Sequence, residues 1–340
     1  MSRAPCSLRL TVFVMYESFY GLRENPFNLT PDPQFIYLGE NHREALAQLI
    51  YGVREKKGFI VLTGEVGTGK TTIIRCFLET LTNGSNNTKA AFLFNPKLSV
   101  NDFIQYILRD LGLTIQGTTK GEYLFNLYEY LIQAYQKDEK VVLIVDEAQG
   151  LNPVLLEEIR LLSNLETSKS KLIQIVLVGQ PELSKTLSRP NFRQIRQRIN
   201  LQHHLPPLTE KETGEYIQKR LKIAGRKEAL FMKGAVKEIY QKTGGVPRLI
   251  NVLCDNSLLV GYASDKKFVN KKIVQEAAKD LKLGKNRFKK WFDIISGILI
   301  IVGFISYIFI QWGVGPFLRG LQSLKEIIPN GIQNFSNFFK

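Results

Sequence analysis

One short stretch, GEVGTGKTT, sets Gly64, Glu65, Val66, Gly67, Thr68, Gly69, Lys70, Thr71 and Thr72 in a row. Glycines at this density let successive backbone N–H groups curl around an anion with no Cβ in the way. Lys70 adds a point charge for β- and γ-phosphates, and the Thr71 hydroxyl is a hard-oxygen donor of the kind Mg²⁺ takes. A second stretch, VVLIVDEAQ from Val141 to Gln149, ends an apolar run in two carboxylates. Asp146 is placed to hold Mg²⁺ through water, and Glu147 to polarise an attacking water as general base. Gln180 ends another apolar run, IQIVLVG, where its amide would touch a γ-phosphate or that water. FRQIRQRI carries Arg193, Arg196 and Arg198; Arg198 first, and Arg196 next, is the candidate to reach a neighbouring subunit's nucleotide and stabilise transition-state charge. Arg248 follows a Gly-Gly-Val-Pro corner that aims it back toward the same cleft.

These residues need a scaffold that brings them to one edge. The runs 59–63, 90–94, 141–146 and 173–179 are short and almost continuously apolar, with a weaker run at 201–205. Helical patterns near 70–82, 100–112, 121–136 and 152–165 alternate with them. That alternation predicts a parallel sheet covered on both faces, with ligands at the carboxyl ends of the strands. Beyond Pro207 the strands stop, and patterns near 209–223, 232–242, 246–262 and 270–281 predict a helical domain. The domain reading is a P-loop ATPase domain over 15–207 and a helical lid over 208–283. Residues 1–14 read as a disordered extension too short for a secretory signal, with Met15 as the working start.

The net charge of +15 favours an anionic partner: nucleotide, nucleic acid or a lipid surface. The three cysteines, Cys6, Cys76 and Cys254, lie far apart, which fits reduced thiols better than a disulfide framework or a metal site. His203 and His204 lack a nearby third ligand, and His42 reads as a helix-start residue near the base of a bound nucleotide rather than a catalytic group.

Together these residues resemble AAA+ ATPases, and among them the general secretion pathway protein A (GspA/ExeA) type. The likeness runs from Tyr16 to about Leu283. It rests on YESFYGLRENPFNLTPDPQFIYL, HREAL, GEVGTGKTT, VDEAQ, LVGQPEL, RQRI and GGVPRLIN. The resemblance implies a five-stranded ASCE sheet with a C-terminal helical lid. It implies Gln180 as sensor 1, Arg248 as sensor 2 and Arg198 as arginine finger, and it implies that Tyr20–Phe27 lies near the adenine.

The segment from Trp291 to Gly313, WFDIISGILIIVGFISYIFIQWG, holds Asp293 and Gln311 near its ends and tryptophans at its borders. At ~1.5 Å per residue it is long enough for the ~30 Å hydrocarbon layer. Lys282, Lys285, Arg287, Lys289 and Lys290 precede it, and the basic linker 284–290 would face anionic headgroups on the cytoplasmic side. The expectation is a single-pass protein of the inner membrane with its ATPase domain in the cytoplasm. The tail 314–340 repeats Leu318, Leu321, Leu324 and Ile328 at helical spacing, which predicts a small amphipathic helix. GspA/ExeA proteins can carry a peptidoglycan-binding domain past the anchor; this tail is too short for one, so direct wall remodelling is not expected.

The sequence reading is a membrane-anchored AAA+ ATPase that uses ATP and Mg²⁺ in a ring or partial ring of its own copies. Its work would be to assemble or position a secretion, pilus or envelope-polymer machine. Two alternatives stay open: a DNA-handling ATPase resembling transposition regulators, and a nucleotide-gated membrane scaffold with little turnover.

Overall fold

Five strands hydrogen-bond in parallel in the computed structural model, which describes residues 16–283 apart from 31, 84–86, 95 and 169. They are β1 (Phe59–Gly64), β2 (Thr88–Leu93), β3 (Lys140–Val145), β4 (Ile173–Gly179) and β5 (Ile199–Leu205), in the order β2-β3-β4-β1-β5. The three inner strands are buried almost throughout, which is why they read as unbroken apolar runs. The edge strands β2 and β5 are buried only at intervals. That explains two differences from expectation. β2 begins at polar Thr88 and stops before exposed Phe94, and β5 begins at Ile199 rather than 201.

Strand alternation splits the core into two faces. Phe59, Val61, Leu143, Val145 and Leu177 point into one cluster, against Val100–Asp110, Lys120–Gln136 and Pro153–Leu162. Ile60, Leu62, Val142, Ile144 and Val176 point into the other, against Glu40–Arg54 and Lys70–Asn83. Each fully buried Leu, Ile or Val contributes roughly 1.5–3 kcal/mol, so the sheet edge is held by packing on both sides. Helix starts follow side-chain caps: Ser99 accepts from the Asp102 N–H, Asn152 from Leu155, and Thr119 forms a capping box with Glu122.

The helical lid comprises Glu210–Ile223, Lys233–Thr243, Pro247–Ala263 and Lys271–Asp280. It joins the sheet through a close backbone contact. Gly245, at φ +78°, lies where a Cβ would sit 1.9 Å from the Leu208 carbonyl oxygen, and its own carbonyl accepts from Leu208 N at 2.9 Å. Only glycine fits there. The N-terminal arm is clasped to the lid. The Tyr16 hydroxyl donates to Asp255 Oδ1 at 2.7 Å, and Asn25 Nδ2 donates to the same oxygen at 3.1 Å. The Tyr20 hydroxyl donates to the Leu258 carbonyl at 3.2 Å, and Arg220 Nε donates to the Pro26 carbonyl. The described residues through Leu281 belong to one compact unit.

Among the described residues no helix is long and apolar enough to cross a membrane. The extension 1–14, the linker 284–290, the expected anchor 291–313 and the tail 314–340 lie outside the described residues.

Candidate active site

Strand register decides which residues meet. Thr63 of β1 pairs with Gly179 of β4, and Val145 of β3 pairs with Leu177 of β4. β1 and β4 therefore end together, and β3 ends two residues short of them at the same edge. The glycine loop after β1, Asp146 and Glu147 after β3, and Gln180 after β4 all emerge at that edge.

The loop has the conformation its glycines allow. Gly67 and Gly69 take φ of +82° and +102°, a region that L side chains rarely adopt. Thr68 is buried, and its hydroxyl donates to the Glu65 carbonyl at 2.9 Å. Lys70 opens the helix Lys70–Asn83, so the positive end of that helix faces the loop. Its Nζ donates to the carbonyls of Gly64 and Glu65, at 2.8 and 3.0 Å. Burial lowers the pKa of this ammonium, while the carboxylates of Glu147, Asp146 and Glu65 favour its charge. Asp146 is pushed the other way: burial raises its pKa, partly opposed by the Glu147 N–H that its Oδ1 accepts at 2.8 Å. The Thr71 hydroxyl donates to Asp146 Oδ2 at 3.4 Å. A hydroxyl and a carboxylate side by side form a hard-oxygen pair that suits Mg²⁺, which takes few protein ligands and shares the rest with water and phosphate.

Glu147 sits in the left-handed region at φ 50°, ψ 34°. Gln180 Nε2 donates to its Oε2 at 3.2 Å, so the two residues expected to manage the attacking water do meet. A third residue meets them. Gln149 Nε2 donates to the same Glu147 oxygen, and Gln149 Oε1 accepts from Gln180 N at 3.0 Å. Sequence reasoning gives Gln149 no role. The short 3₁₀ turn Ala148–Gly150 folds it back beside Glu147, and neither strand nor α-helix periodicity anticipates such a turn.

A cavity of about 450 Å³ opens beside the loop, ordinary for a small-ligand site. Val66, Gly67, Gly69, Lys70, Thr71 and Thr72 form its floor, with Glu147 at one side. Gly64, Glu65 and Thr68 shape the loop from behind. Arg248 lines the far wall from the first turn of Pro247–Ala263, and its N–H donates to the Gly67 carbonyl at 3.3 Å. Its guanidinium has no hydrogen-bond or ion-pair partner among the described residues. The remaining wall differs from expectation. None of Tyr20–Phe27 lines the cavity, because Tyr16, Tyr20 and Phe27 are buried against the lid. The segment that follows does line it, through Asn28, Phe35 and Tyr37. Arg198 does not line its own chain's cavity; its Nη1 donates to Ser163 Oγ at 2.6 Å and to the Arg160 carbonyl at 3.4 Å. Arg193 and Arg196 are exposed nearby. His203 and His204 lie on β5, with His204 Nδ1 3.2 Å from Thr63 Oγ1.

Residues 53–187 match the AAA domain family. The chain is 42% identical over 250 residues to General secretion pathway protein A of Aeromonas hydrophila, an alignment covering 73% of this chain and 45% of that protein. The chain carries an AAA+ ATPase module of the general secretion pathway protein A type. It thus spans about half the length of the curated relative it matches. The AAA+ fold is also similar to solved structures. Drosophila ORC bound to DNA aligns with a TM-score of 0.60 at 17% identity, over 83% of this chain and 68% of that one. Cdc6p from Pyrobaculum aerophilum aligns with a TM-score of 0.57 at 20% identity, over 75% of this chain and 70% of that one. At such identities the likeness speaks for fold alone. A nucleotide belongs in the cavity of this AAA+ module, on the loop that the fold reserves for phosphate.

Gln149→Leu is expected to lower ATP turnover by about tenfold, the weight of one hydrogen bond to a charged group, while ATP affinity stays within about twofold. Steady-state turnover and nucleotide titration on the purified protein check this. Unchanged turnover would show that Gln149 does not hold Glu147 for catalysis.

Proposed function

We propose that the protein binds ATP with Mg²⁺ in this cavity and hydrolyses it, working in a ring of its own copies to assemble or position a secretion, pilus or envelope-polymer export machine at the cytoplasmic membrane. The single observation that carries the hydrolytic part is the meeting of Lys70, Asp146 and Glu147 at one sheet edge, with Gln180 bonded to Glu147. Lys70 would leave its loop carbonyls for the β- and γ-phosphates. Thr71 and Asp146 would hold Mg²⁺, which neutralises phosphate charge when bound. Glu147, steadied by Gln180 and Gln149, would take the proton of the attacking water. Arg248 would close on the phosphates from the lid.

Arg198 is the proposed trans arginine, with Arg196 next; its present bonds to Ser163 and Arg160 would have to open as a neighbouring subunit docks. The secretion client is supported by the likeness to General secretion pathway protein A. The membrane reading rests on the apolar run 291–313 and on the basic residues before it. A DNA-handling role is a second reading, supported by the +15 charge.

Lys70→Ala should abolish ATP binding, and Glu147→Gln should keep ATP while turnover falls by at least about a hundredfold. Turnover and binding on the full chain, with and without DNA, test this together. Normal hydrolysis by Glu147→Gln would refute the assigned base, and DNA stimulation that falls steeply with salt would favour the second reading. For topology, a tag after Lys340 should be reached by a membrane-impermeant label from outside the cytoplasmic membrane. Labelling only from the cytoplasm would rule out a single crossing.

A further inference from the structure

His42 is buried against the phosphate loop, and its Nε2 lies 2.9 Å from the Thr68 carbonyl oxygen. A carbonyl only accepts, so Nε2 carries the hydrogen and donates. Burial lowers the His42 pKa, which favours the neutral ring and leaves it a single N–H. A trans peptide is planar, with its C=O and the following N–H pointing in opposite directions. Fixing the Thr68 carbonyl on His42 therefore turns the Gly69 N–H away from the ring. Gly69 is part of the cavity floor, and a Cβ there would lie 3.1 Å from His42 Nε2. The ring is thus seated directly behind the two residues whose peptide must face a phosphate.

The helix that carries His42 is itself held from the lid. Its N-cap is Gly39, which has no side chain to satisfy the first N–H groups. Glu212, on the lid helix Glu210–Ile223, supplies the missing acceptor: its Oε1 accepts from Glu40 N at 2.9 Å. Its Oε2 accepts from Thr209 N and Thr209 Oγ1, both at 2.9 Å, so the carboxylate is shared between two helix starts. A Cβ on Gly39 would sit 2.4 Å from Glu212 Oε1, so the carboxylate would have to move aside for any side chain there. Sequence signals for these contacts are a lone histidine, a lone glycine and an ordinary capping box, and no spacing rule links them.

We infer that His42 is a positioning residue of the phosphate-binding loop, and that Glu212 of the lid sets it through the first turn of Glu40–Arg54. The path runs from Glu212 to Glu40 N, two residues along to His42, and from its ring to the Thr68 carbonyl. Lid and loop are thereby tied at a point separate from Arg248. A shift of the lid moves the N-terminus of Glu40–Arg54 and with it the peptide that meets the phosphates. This rests on the nucleotide reading of the cavity.

The test uses the full chain, with Mg·ATP and with ADP as probes. His42→Phe keeps a flat ring and removes the donor; His42→Gln restores a donor; Glu212→Ala and Gly39→Ala disturb the lid contact without touching the loop. His42→Phe should weaken both nucleotides by roughly tenfold, the scale of one lost hydrogen bond, and His42→Gln should regain most of that. Glu212→Ala and Gly39→Ala should each weaken binding several-fold. The double variant His42→Phe/Glu212→Ala should bind no more weakly than His42→Phe, because both changes cut one path. Should His42→Phe fail to fold, the two lid-contact variants and His42→Gln carry the test. Wild-type protein that binds no nucleotide would overturn the nucleotide reading and this inference with it. Wild-type binding with His42→Phe unimpaired, with His42→Gln as weak as His42→Phe, or with losses that multiply in the double variant would overturn this inference alone.

Discussion

A buried ammonium group at the glycine loop is the constraint around which this sheet edge is arranged. Lys70 is removed from water and hydrogen-bonded to two neutral carbonyls of its own loop. Around it converge a helix N-terminus, glycine backbone N–H groups and the guanidinium of Arg248, which has no hydrogen-bond or ion-pair partner among the described residues. The carboxylates of Glu147, Asp146 and Glu65 offset this positive cluster, and two of them suit different tasks: Asp146 fits a metal, Glu147 a water. Charge interactions in a partly desolvated cleft are far stronger than in bulk water. The phosphates of a nucleotide suit that set, and under the proposed function a Mg²⁺ ion would join Thr71 and Asp146.

The parallel sheet makes that convergence possible. Three inner strands end within two residues of one another, so chemistry encoded more than a hundred residues apart reaches one edge without long loops. The lid then touches the loop twice, at Arg248 against Gly67 and through Glu212 and the helix that carries His42. Both contacts depend on glycines whose absent side chains leave room for a neighbour. Under the proposed function such ties would let the lid's position depend on what the loop holds.

The sheet and most helices are legible in the sequence because burial on both faces writes long apolar runs and caps write helix starts. The loop and the paired carboxylates are legible because their chemistry demands particular residue types at fixed spacing. What escapes is set by side chains folding across the tertiary structure. Gln149 joins Glu147 through a 3₁₀ turn, and His42 joins Thr68 from a helix that precedes β1. The wall of the cavity shifts from Tyr20–Phe27 to the segment after it because the aromatic side chains of the arm gain more by burial in the lid than by facing a ligand. Arg198 shows a further limit: the sequence places an arginine near the right strand, while its contacts to Ser163 and Arg160 depend on packing.

The most direct measurement of the central claim is a crystal structure with Mg²⁺ and a non-hydrolysable ATP analogue. The account predicts the triphosphate on the loop Gly64–Thr72, with Lys70 Nζ moved from the Gly64 and Glu65 carbonyls to phosphate oxygens. It predicts the base between the segment 28–37 and the lid. Analogue bound elsewhere, or bound here with Lys70 still on its own carbonyls, would contradict it.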